Sequence, residues 1–154
     1  MAAVKPIPEG YPRVIPYLSV DGASAAIDFY TKVFDAKERM RMPAPDGKIG
    51  HAELTIGDSV VMLADAFPEM GGKTPKALGG TPVTVMIYVD DVDAVFKRAT
   101  SAGATAEREV ENQFYGDRAG AFVDPFGHKW FVATHVEDVP PAELEKRAAA
   151  AMAG

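Results

Sequence analysis

The same succession of strand-like and helix-like patterns of apolar and polar residues occurs twice along this chain. Val14–Val20 alternates with the period of a β-strand and ends at Asp21. Apolar or small residues then recur at helical spacing, at Ala23, Ala26, Ile27, Tyr30, Val33 and Phe34. Asp21 or Ser24 is the candidate cap of this helix. Three short strand candidates follow it: Ala36–Met42, His51–Ile56 and Ser59–Ala64.

The second half restarts this pattern at a constant offset of 69 residues, as from Leu18 to Ile87 and from Asp21 to Asp90. Val83–Val89 is a predicted strand, and apolar residues at helical spacing follow it up to a helix stop at Gly103. Three more strands are predicted: Thr105–Val110, Ala119–Val123 and Lys129–His135. An internal repeat of strand, helix and three strands therefore predicts two similar units.

The stretches outside these units set the domain boundaries. We predict an N-terminal arm at 1–13, a first unit at 14–66, a linker at 67–82, a second unit at 83–138 and a C-terminal helix at 139–154. The linker is rich in proline and glycine and has no periodicity, and such a long irregular segment suggests a functional or mobile role. The C-terminal helix begins at a Pro-Pro-Ala-Glu sequence, which suits a helix N-terminus.

Composition narrows the functional classes. The chain of 154 residues has no cysteine, which excludes disulfides, thiolate metal sites and cysteine nucleophiles. Its net charge of −6 argues against nucleic acid as a partner. No apolar run approaches the roughly 18 residues of a membrane span, and the N-terminus lacks the apolar core of a signal peptide. We therefore expect a cytoplasmic protein that binds neither nucleic acid nor membrane.

The most distinctive motif lies between the last two predicted strands. Asp124-Pro125-Phe126-Gly127 has proline second and glycine fourth, which is typical of a type I turn. With Tyr115-Gly-Asp-Arg before it and His-Lys-Trp after it, this stretch resembles the vicinal oxygen chelate superfamily, which includes glyoxalase I, bleomycin resistance proteins and extradiol dioxygenases. Leu18-Ser-Val-Asp, Ile27-Asp-Phe-Tyr and Gly50-His-Ala-Glu-Leu-Thr-Ile-Gly-Asp carry the same likeness. The chain looks most similar to the PhnB-like branch.

The resemblance implies an α+β fold of two tandem βαβββ units. Each unit would have a mixed four-stranded sheet that curves round a cavity and packs its outer face on the helices. Because strand side chains alternate, Leu18, Ala52 and Leu54 are expected on the helix side. The opposite parity selects the expected ligand-binding residues: Tyr17, His51, Glu53, Met62, Met86, Tyr88 and Phe131.

Metal-dependent members place His or Glu ligands on the first and fourth strands of each unit. By register those positions are close to Ile15, Met62, Thr84 and Phe131, and none is a normal ligand for a divalent metal. We therefore expect no cofactor, with a divalent metal as the alternative.

His51 and Glu53 stand two apart on one strand face, so the sequence offers several interpretations of the pair. They are candidates for a ligand-binding pair, for a base with its orienting carboxylate, for part of a metal site, or for a solvated polar face. A lone pair provides too few ligands for a site with three protein ligands.

The other polar residues also have two interpretations. Asp117 and Arg118 suit either an anion anchor or a salt bridge that fixes a loop. His128 lies in a turn and is expected to be structural, as are the core residues Trp130 and Phe122. His135 ends the last strand, where it is a candidate for the cavity rim.

Two functional classes remain open. The first is a metal-independent binder of a small aromatic or cationic molecule, similar to the drug-binding resistance proteins. The alternative is a glyoxalase-like lyase, isomerase or dioxygenase-type enzyme with a relocated site at His51 and Glu53. We expect a homodimer in either case, because relatives pair their units within or between chains.

Overall fold

A computed structural model describes residues 3–154 and has two compact units with their boundary between Leu78 and Gly79. The first two residues of the predicted arm lie outside the described residues. The first unit contains, in order, β1 (Tyr17–Val20), α1 (Ala23–Phe34), β2 (Lys37–Pro43), β3 (Ile49–Ile56), β4 (Ser59–Asp65) and α2 (Pro75–Leu78). The second contains β5 (Thr84–Tyr88), α3 (Val92–Ser101), β6 (Thr105–Asn112), β7 (Asp117–Val123), β8 (Lys129–His135) and α4 (Pro141–Ala153).

Each unit has one mixed four-stranded sheet, with strand order β1-β4-β3-β2 in the first and β5-β8-β7-β6 in the second. The pairs β1–β4 and β5–β8 are parallel, whereas the remaining neighbours are antiparallel. The predicted α+β fold of two βαβββ units is therefore confirmed. Neither sheet closes into a barrel, since β1 and β2, and likewise β5 and β6, are edge strands.

The core of the first unit lies between α1 and one face of its sheet. Leu18, Ala52 and Leu54 are buried on this face, and α1 contributes residues such as Ile27 and Tyr30. Burial of this apolar area is the main source of stability for the unit. The opposite face of the sheet, which we call the first open face, carries Tyr17, His51, Glu53 and Met62.

The N-terminus of α1 differs from the sequence prediction. Neither Asp21 nor Ser24 caps the helix, because the N-cap is Gly22 and it makes no side-chain cap bond. Asp65 at the end of β4 takes this role: its Oδ1 accepts hydrogen bonds from the backbone N–H groups of Gly22 and Ala23 at 2.8 and 3.0 Å. Its Oδ2 accepts one from Ile49 N at 2.8 Å. A carboxylate distant in sequence thus joins α1, β3 and β4.

The segment predicted as an irregular linker has local structure up to the unit boundary. Pro68–Met70 forms a 3₁₀ turn and Pro75–Leu78 forms one turn of α-helix. Buried Thr74 accepts a hydrogen bond from Ala77 N and donates one to Asp21 Oδ2 at 3.1 Å. Residues 67–78 are therefore packed in the first unit.

The second unit repeats the same packing with α3. The rings of Phe96 on α3 and Phe122 on β7 meet edge to face, with centroids 6.1 Å apart. Gly120 lies beneath the helix, where a Cβ atom would come within 2.9 Å of Val110 and 3.2 Å of Phe96, so glycine permits this close approach. The face away from α3, the second open face, carries Met86, Tyr88, Phe131 and His135.

The Asp124 turn explains the sequence motif that precedes β8. Gly127 N donates to the Asp124 carbonyl, as expected for the predicted turn. The buried carboxylate of Asp124 also accepts hydrogen bonds from Phe126 N, His128 N and Trp130 Nε1, each 2.9 Å long. The motif is therefore a structural element that fixes the turn and the core indole.

Candidate functional site

Strand register brings the polar residues of the first open face together. Tyr17 on β1 pairs with Met62 on β4, and Met62 pairs with Glu53 on β3. Side chains of directly paired residues point to the same face of a sheet, so these three form one row. His51 lies two residues before Glu53 on the same strand face, and Met42 on β2 is its partner.

These side chains form a continuous hydrogen-bonded chain, which we call the Tyr11–Tyr17 network. Tyr17 Oη lies 2.8 Å from His51 Nδ1, and His51 Nε2 lies 2.8 Å from Glu53 Oε2. Tyr11 donates its phenolic proton to Glu53 Oε1 at 2.6 Å. Both carboxylate oxygens of Glu53 are thus occupied, and the residue is only 5% exposed.

The ionisation of Glu53 determines where the protons of the network lie. Hydrogen bonds from His51 and Tyr11 hold the pKa of the Glu53 carboxyl below its ordinary value, against the effect of burial. A carboxylate only accepts hydrogen bonds, so His51 Nε2 is the nitrogen that carries a proton toward it. In neutral His51, Nδ1 is then the acceptor and Tyr17 is the donor.

The predicted arm supplies the second phenol on Glu53. The Arg39 guanidinium lies over the Tyr11 ring, 4.4 Å from its centroid, and Arg39 Nη1 donates to the Gly10 carbonyl at 3.2 Å. The hydrogen bond to Glu53 and burial both raise the pKa of Tyr11, so this phenol stays protonated at neutral pH. The arm is therefore attached to β2 and β3 at Gly10 and Tyr11.

Tyr17 is the part of the network that solvent reaches most freely. It is 55% exposed, and its ring centroid lies 5.5 Å from that of His51. Because its proton is directed to His51, its oxygen can receive a further hydrogen bond but cannot give one. Exposed Met42 and half-buried Met62 provide adaptable apolar surface beside it. This arrangement suits a flat, apolar molecule that carries a proton donor or a positive charge.

The second open face carries the remaining candidate residues. Met86 pairs with Phe131, and Tyr88 pairs with Ala133. Met86 and Tyr88 are exposed, while Phe131 is half-buried. The described residues therefore place Met86, Tyr88 and Phe131 on one apolar surface of the second unit.

A second buried carboxylate lies at the end of this surface. Asp117, which is 4% exposed, accepts a hydrogen bond from Tyr88 Oη at 2.8 Å and lies 2.8 Å from His135 Nδ1. His135 Nε2 lies 2.8 Å from Asp138 Oδ1, so both nitrogens of this imidazole face carboxylates. The hydrogen bonds to Asp117 and then to Asp138 raise the pKa of His135.

This histidine gives a pH-dependent prediction. Because the folded-state pKa of His135 is raised, its stabilising contribution is complete below its unfolded pKa, about 6.5, and is lost as pH rises through the folded value. His135→Gln should therefore lower the Tm more at pH 5.5 than at pH 8.5, as thermal melts of both proteins would show. An equal loss of Tm at the two pH values would contradict this.

The remaining polar candidates have structural partners. Arg118 forms a two-pronged ion pair with Asp93 on α3, with distances of 2.8 and 2.9 Å. It lies on the helix side of β7, so the salt bridge, and not an anion anchor, describes it. His128 N is fixed by Asp124, as described above, and Trp130 is buried.

The metal positions of the family do not fit a divalent ion in this chain. Neither a carboxylate nor an imidazole is present at these positions, which are occupied by Ile15, Met62, Thr84 and Phe131. Within residues 3–154, no group of three or more His, Asp or Glu side chains could hold a metal ion. His51 and Glu53 bond to each other and to two phenols.

Sequence reasoning missed Tyr11 and grouped Asp117 with Arg118, whereas Asp117 contacts Tyr88 and His135 and Arg118 contacts Asp93. Tyr11 lies in a segment with proline and glycine but no periodicity, so only its aromatic character marked it. Asp117 begins β7 two residues before the predicted start of that strand, and it was therefore not assigned to a face. Asp117 alternates in step with Ala119 and Ala121, and this parity would have placed it on the second open face.

Comparisons with known proteins agree with this architecture. The chain is 52% identical over 137 residues to protein Mb0911c of Mycobacterium bovis, and the match covers 87% of this chain and 90% of that one. TioX from Micromonospora sp. ML1 has a similar structure, with a TM-score of 0.63 and 28% identity over 81% of this chain and 99% of TioX. A PhnB protein from Bacillus cereus shares the fold, with a TM-score of 0.63 and 18% identity over 80% of this chain and 99% of that one.

No helix within residues 3–154 is long and apolar enough to cross a membrane.

The family model of the glyoxalase/bleomycin resistance protein/dioxygenase superfamily matches residues 13–132, which is most of the chain. The chain therefore belongs to the glyoxalase/bleomycin resistance protein/dioxygenase superfamily.

Proposed function

We propose that this protein is a cytoplasmic, metal-independent binder of a small aromatic or cationic molecule, of the PhnB-like type. The observation that carries the proposal is the exposed ring of Tyr17, whose phenol is fixed by His51 above the buried carboxylate of Glu53. An aromatic ring held in one orientation loses little conformational entropy when a ligand stacks on it. The ligand-binding residues proposed on the first unit are Tyr17, His51, Glu53 and Met62.

Met86, Tyr88 and Phe131 are the ligand-binding residues that we propose on the second unit. Their support is the apolar character of the second open face and the exposure of Met86 and Tyr88. Asp117 adds a negative charge next to Tyr88, which favours a cationic ligand there as well.

Proflavine, a planar aromatic cation, is a suitable probe for this proposal, with the anion 1-anilinonaphthalene-8-sulfonate as the comparison. We expect the protein to bind proflavine more tightly. Glu53→Gln should weaken proflavine binding by about 1–3 kcal/mol, since it removes a charge behind the Tyr17 and His51 pair. Isothermal titration calorimetry measures the affinity of each variant.

A matched control keeps this test specific. Met70→Ala removes an exposed apolar side chain of the first unit that lies on a 3₁₀ turn and not on a strand of the sheet, and it should leave the affinity unchanged. Equal proflavine affinity of the wild-type protein, Glu53→Gln and Tyr17→Ala would contradict the proposed site.

The protein should purify without a tightly bound divalent metal. The physical reason is the absence of carboxylate or imidazole groups at Ile15, Met62, Thr84 and Phe131, the positions that hold metal in relatives. Elemental analysis after gentle purification measures the metal content. About one equivalent of zinc, nickel, iron or manganese per chain would refute this part of the proposal.

We also propose a homodimer. Each open face is half of an enclosure at most, because both sheets have two free edges. In a homodimer, exposed apolar residues such as Tyr17 and Met86 would line an enclosure that two chains form and would be shielded from bulk water. Light scattering at tens of micromolar should give twice the chain mass of 16.4 kDa, whereas a monomer mass would contradict the dimer.

The alternative function is an enzyme of the glyoxalase-like class with its site at His51 and Glu53. The hydrogen bond between these two residues favours it, because a carboxylate that orients an imidazole is the usual support of a general base.

A further inference from the structure

The Tyr11–Tyr17 network has a fixed order of groups, from an exposed phenol through an imidazole to a buried carboxylate. The two inner hydrogen bonds are each 2.8 Å long, and the carboxylate end is nearly inaccessible. A nucleophile or base, an imidazole and an orienting carboxylate in line are the parts of a general-base relay.

The Glu53 carboxylate imposes one order of donors and acceptors on the network. Glu53 holds the Nε2 proton of His51, which leaves the Nδ1 lone pair for the Tyr17 proton. If Tyr17 passes that proton to Nδ1, the resulting imidazolium faces the Glu53 carboxylate at 2.8 Å, a stabilising contact. Tyr11 holds the second carboxylate oxygen, so the carboxylate keeps its position during the transfer.

Stability alone does not account for the network. A buried carboxylate is commonly neutral or unfavourable for stability when compared with an apolar residue of similar volume. Here the buried carboxylate of Glu53 faces His51. His51 in turn faces Tyr17, which is the one residue of the network that is more than half exposed.

We propose that Tyr17, His51 and Glu53 form a metal-independent proton relay that removes a proton from an activated carbon acid bound at the first open face. The substrate C–H bond breaks, its electron pair stays on the substrate, and the proton bonds to Tyr17 Oη. At the same time Tyr17 gives its own proton to His51 Nδ1. The products are the substrate carbanion, or its delocalised form, and protonated His51. The inference shares the location of the proposed ligand site but does not require that its natural ligand be cationic.

The second unit provides an internal contrast. Tyr88 donates directly to the Asp117 carboxylate, without an imidazole between them. Both nitrogens of His135 face carboxylates, so neither is an acceptor for a phenolic proton. Tyr88 has a similar exposure to Tyr17 but no imidazole to receive its proton, so the second open face has no such relay.

The relay can be tested with 5-nitrobenzisoxazole, an aromatic carbon acid. A base takes its ring C–H proton, the C–H electrons form the nitrile, the N–O bond breaks and the oxygen leaves as a coloured phenolate. We expect the wild-type protein to accelerate this reaction. Tyr17→Phe and His51→Gln should each lower kcat by about 100-fold, as for loss of a general base. Tyr17→Phe should leave KM nearly unchanged because the ring remains. Met70→Ala, on the exposed 3₁₀ turn of the first unit, should match the wild type.

A spectroscopic readout separates the relay from a merely structural role of Tyr17. The ¹⁵N resonances of His51 should report a protonated Nε2 and a hydrogen-bonded, unprotonated Nδ1, and Tyr17→Phe should shift only the Nδ1 resonance. A wild-type kcat no higher than that of His51→Gln, a Tyr17→Phe kcat equal to wild type, or a proton on Nδ1 of neutral His51 would overturn the relay. Proflavine affinity, measured separately, would still decide the ligand site.

Discussion

Leu54→Asp is expected to unfold the first unit, whereas Glu53→Gln on the adjacent position should leave it folded. Leu54 is fully buried between β3 and α1, and an aspartate there would be an unpaired charge away from water. Removal of the apolar side chain alone is expected to cost about 2–5 kcal/mol, and charge burial adds to that. The two losses together exceed the free energy of unfolding that a unit of ordinary stability has available.

Glu53→Gln keeps the volume of the side chain and its ability to accept a hydrogen bond from Tyr11. It removes the charge and replaces one oxygen by an NH₂ group, from which neutral His51 can accept in its other tautomer, so the Tm should remain close to that of the wild type. Thr55→Asp is a matched control for the introduced carboxylate, because Thr55 is half-buried on the open face and not in the core. Thermal melts followed by circular dichroism compare the three variants. A folded Leu54→Asp with a collapsed Glu53→Gln would mean that the strand is turned over.

Asp65→Asn is expected to lower the free energy of unfolding by about 3 kcal/mol. The Asp65 carboxylate accepts three backbone N–H groups, from Gly22, Ala23 and Ile49, and hydrogen bonds to a charged group are worth roughly 1.5–3 kcal/mol each. An amide has one oxygen in place of two, and its NH₂ group would face a backbone donor. The variant therefore loses both charge and acceptors where α1, β3 and β4 meet.

Chemical denaturation of Asp65→Asn measures this loss. Asp21→Asn is the matched control, because Asp21 is exposed and its carboxylate receives a single hydrogen bond from Thr74. That control should lose less than about 1 kcal/mol, since hydrogen bonds in exposed positions contribute little. Equal effects at Asp65 and Asp21 would contradict the role assigned to Asp65.

The pattern was sufficient to predict the strands, helices and their faces because alternation is set by burial, and the family resemblance implied how the strands form sheets. Leu18, Ala52 and Leu54 share one parity and lie in the core, which also determines that His51 and Glu53 share the other. The repeat at 69 residues then predicted the second unit with the same faces. The helix cap could not be predicted in this way, since Asp65 is 42 residues from Ala23 and only the folded sheet brings them together.

The candidate site was predictable only in part, for a related reason. Periodicity assigns faces within strands, and it placed Tyr17 and Met62 beside Glu53. It does not say which loop or arm covers a face, so the contact of Tyr11 with Glu53 had no signal in the pattern. Asp117 was singled out with Arg118, but its face was not predicted, because strand ends are polar and irregular and alternation is weakest there.

The central claim is that the first open face is where this protein binds its ligand. The most direct measurement is a ¹H–¹⁵N and ¹H–¹³C NMR titration of the labelled protein with proflavine. We predict that the resonances of Tyr17, His51 and the Met62 methyl group shift in a saturable manner, while those of Ile27 and Leu54 on the helix side do not. Saturable shifts confined to α1 and the helix side, with Tyr17 and His51 unchanged, would contradict the claim.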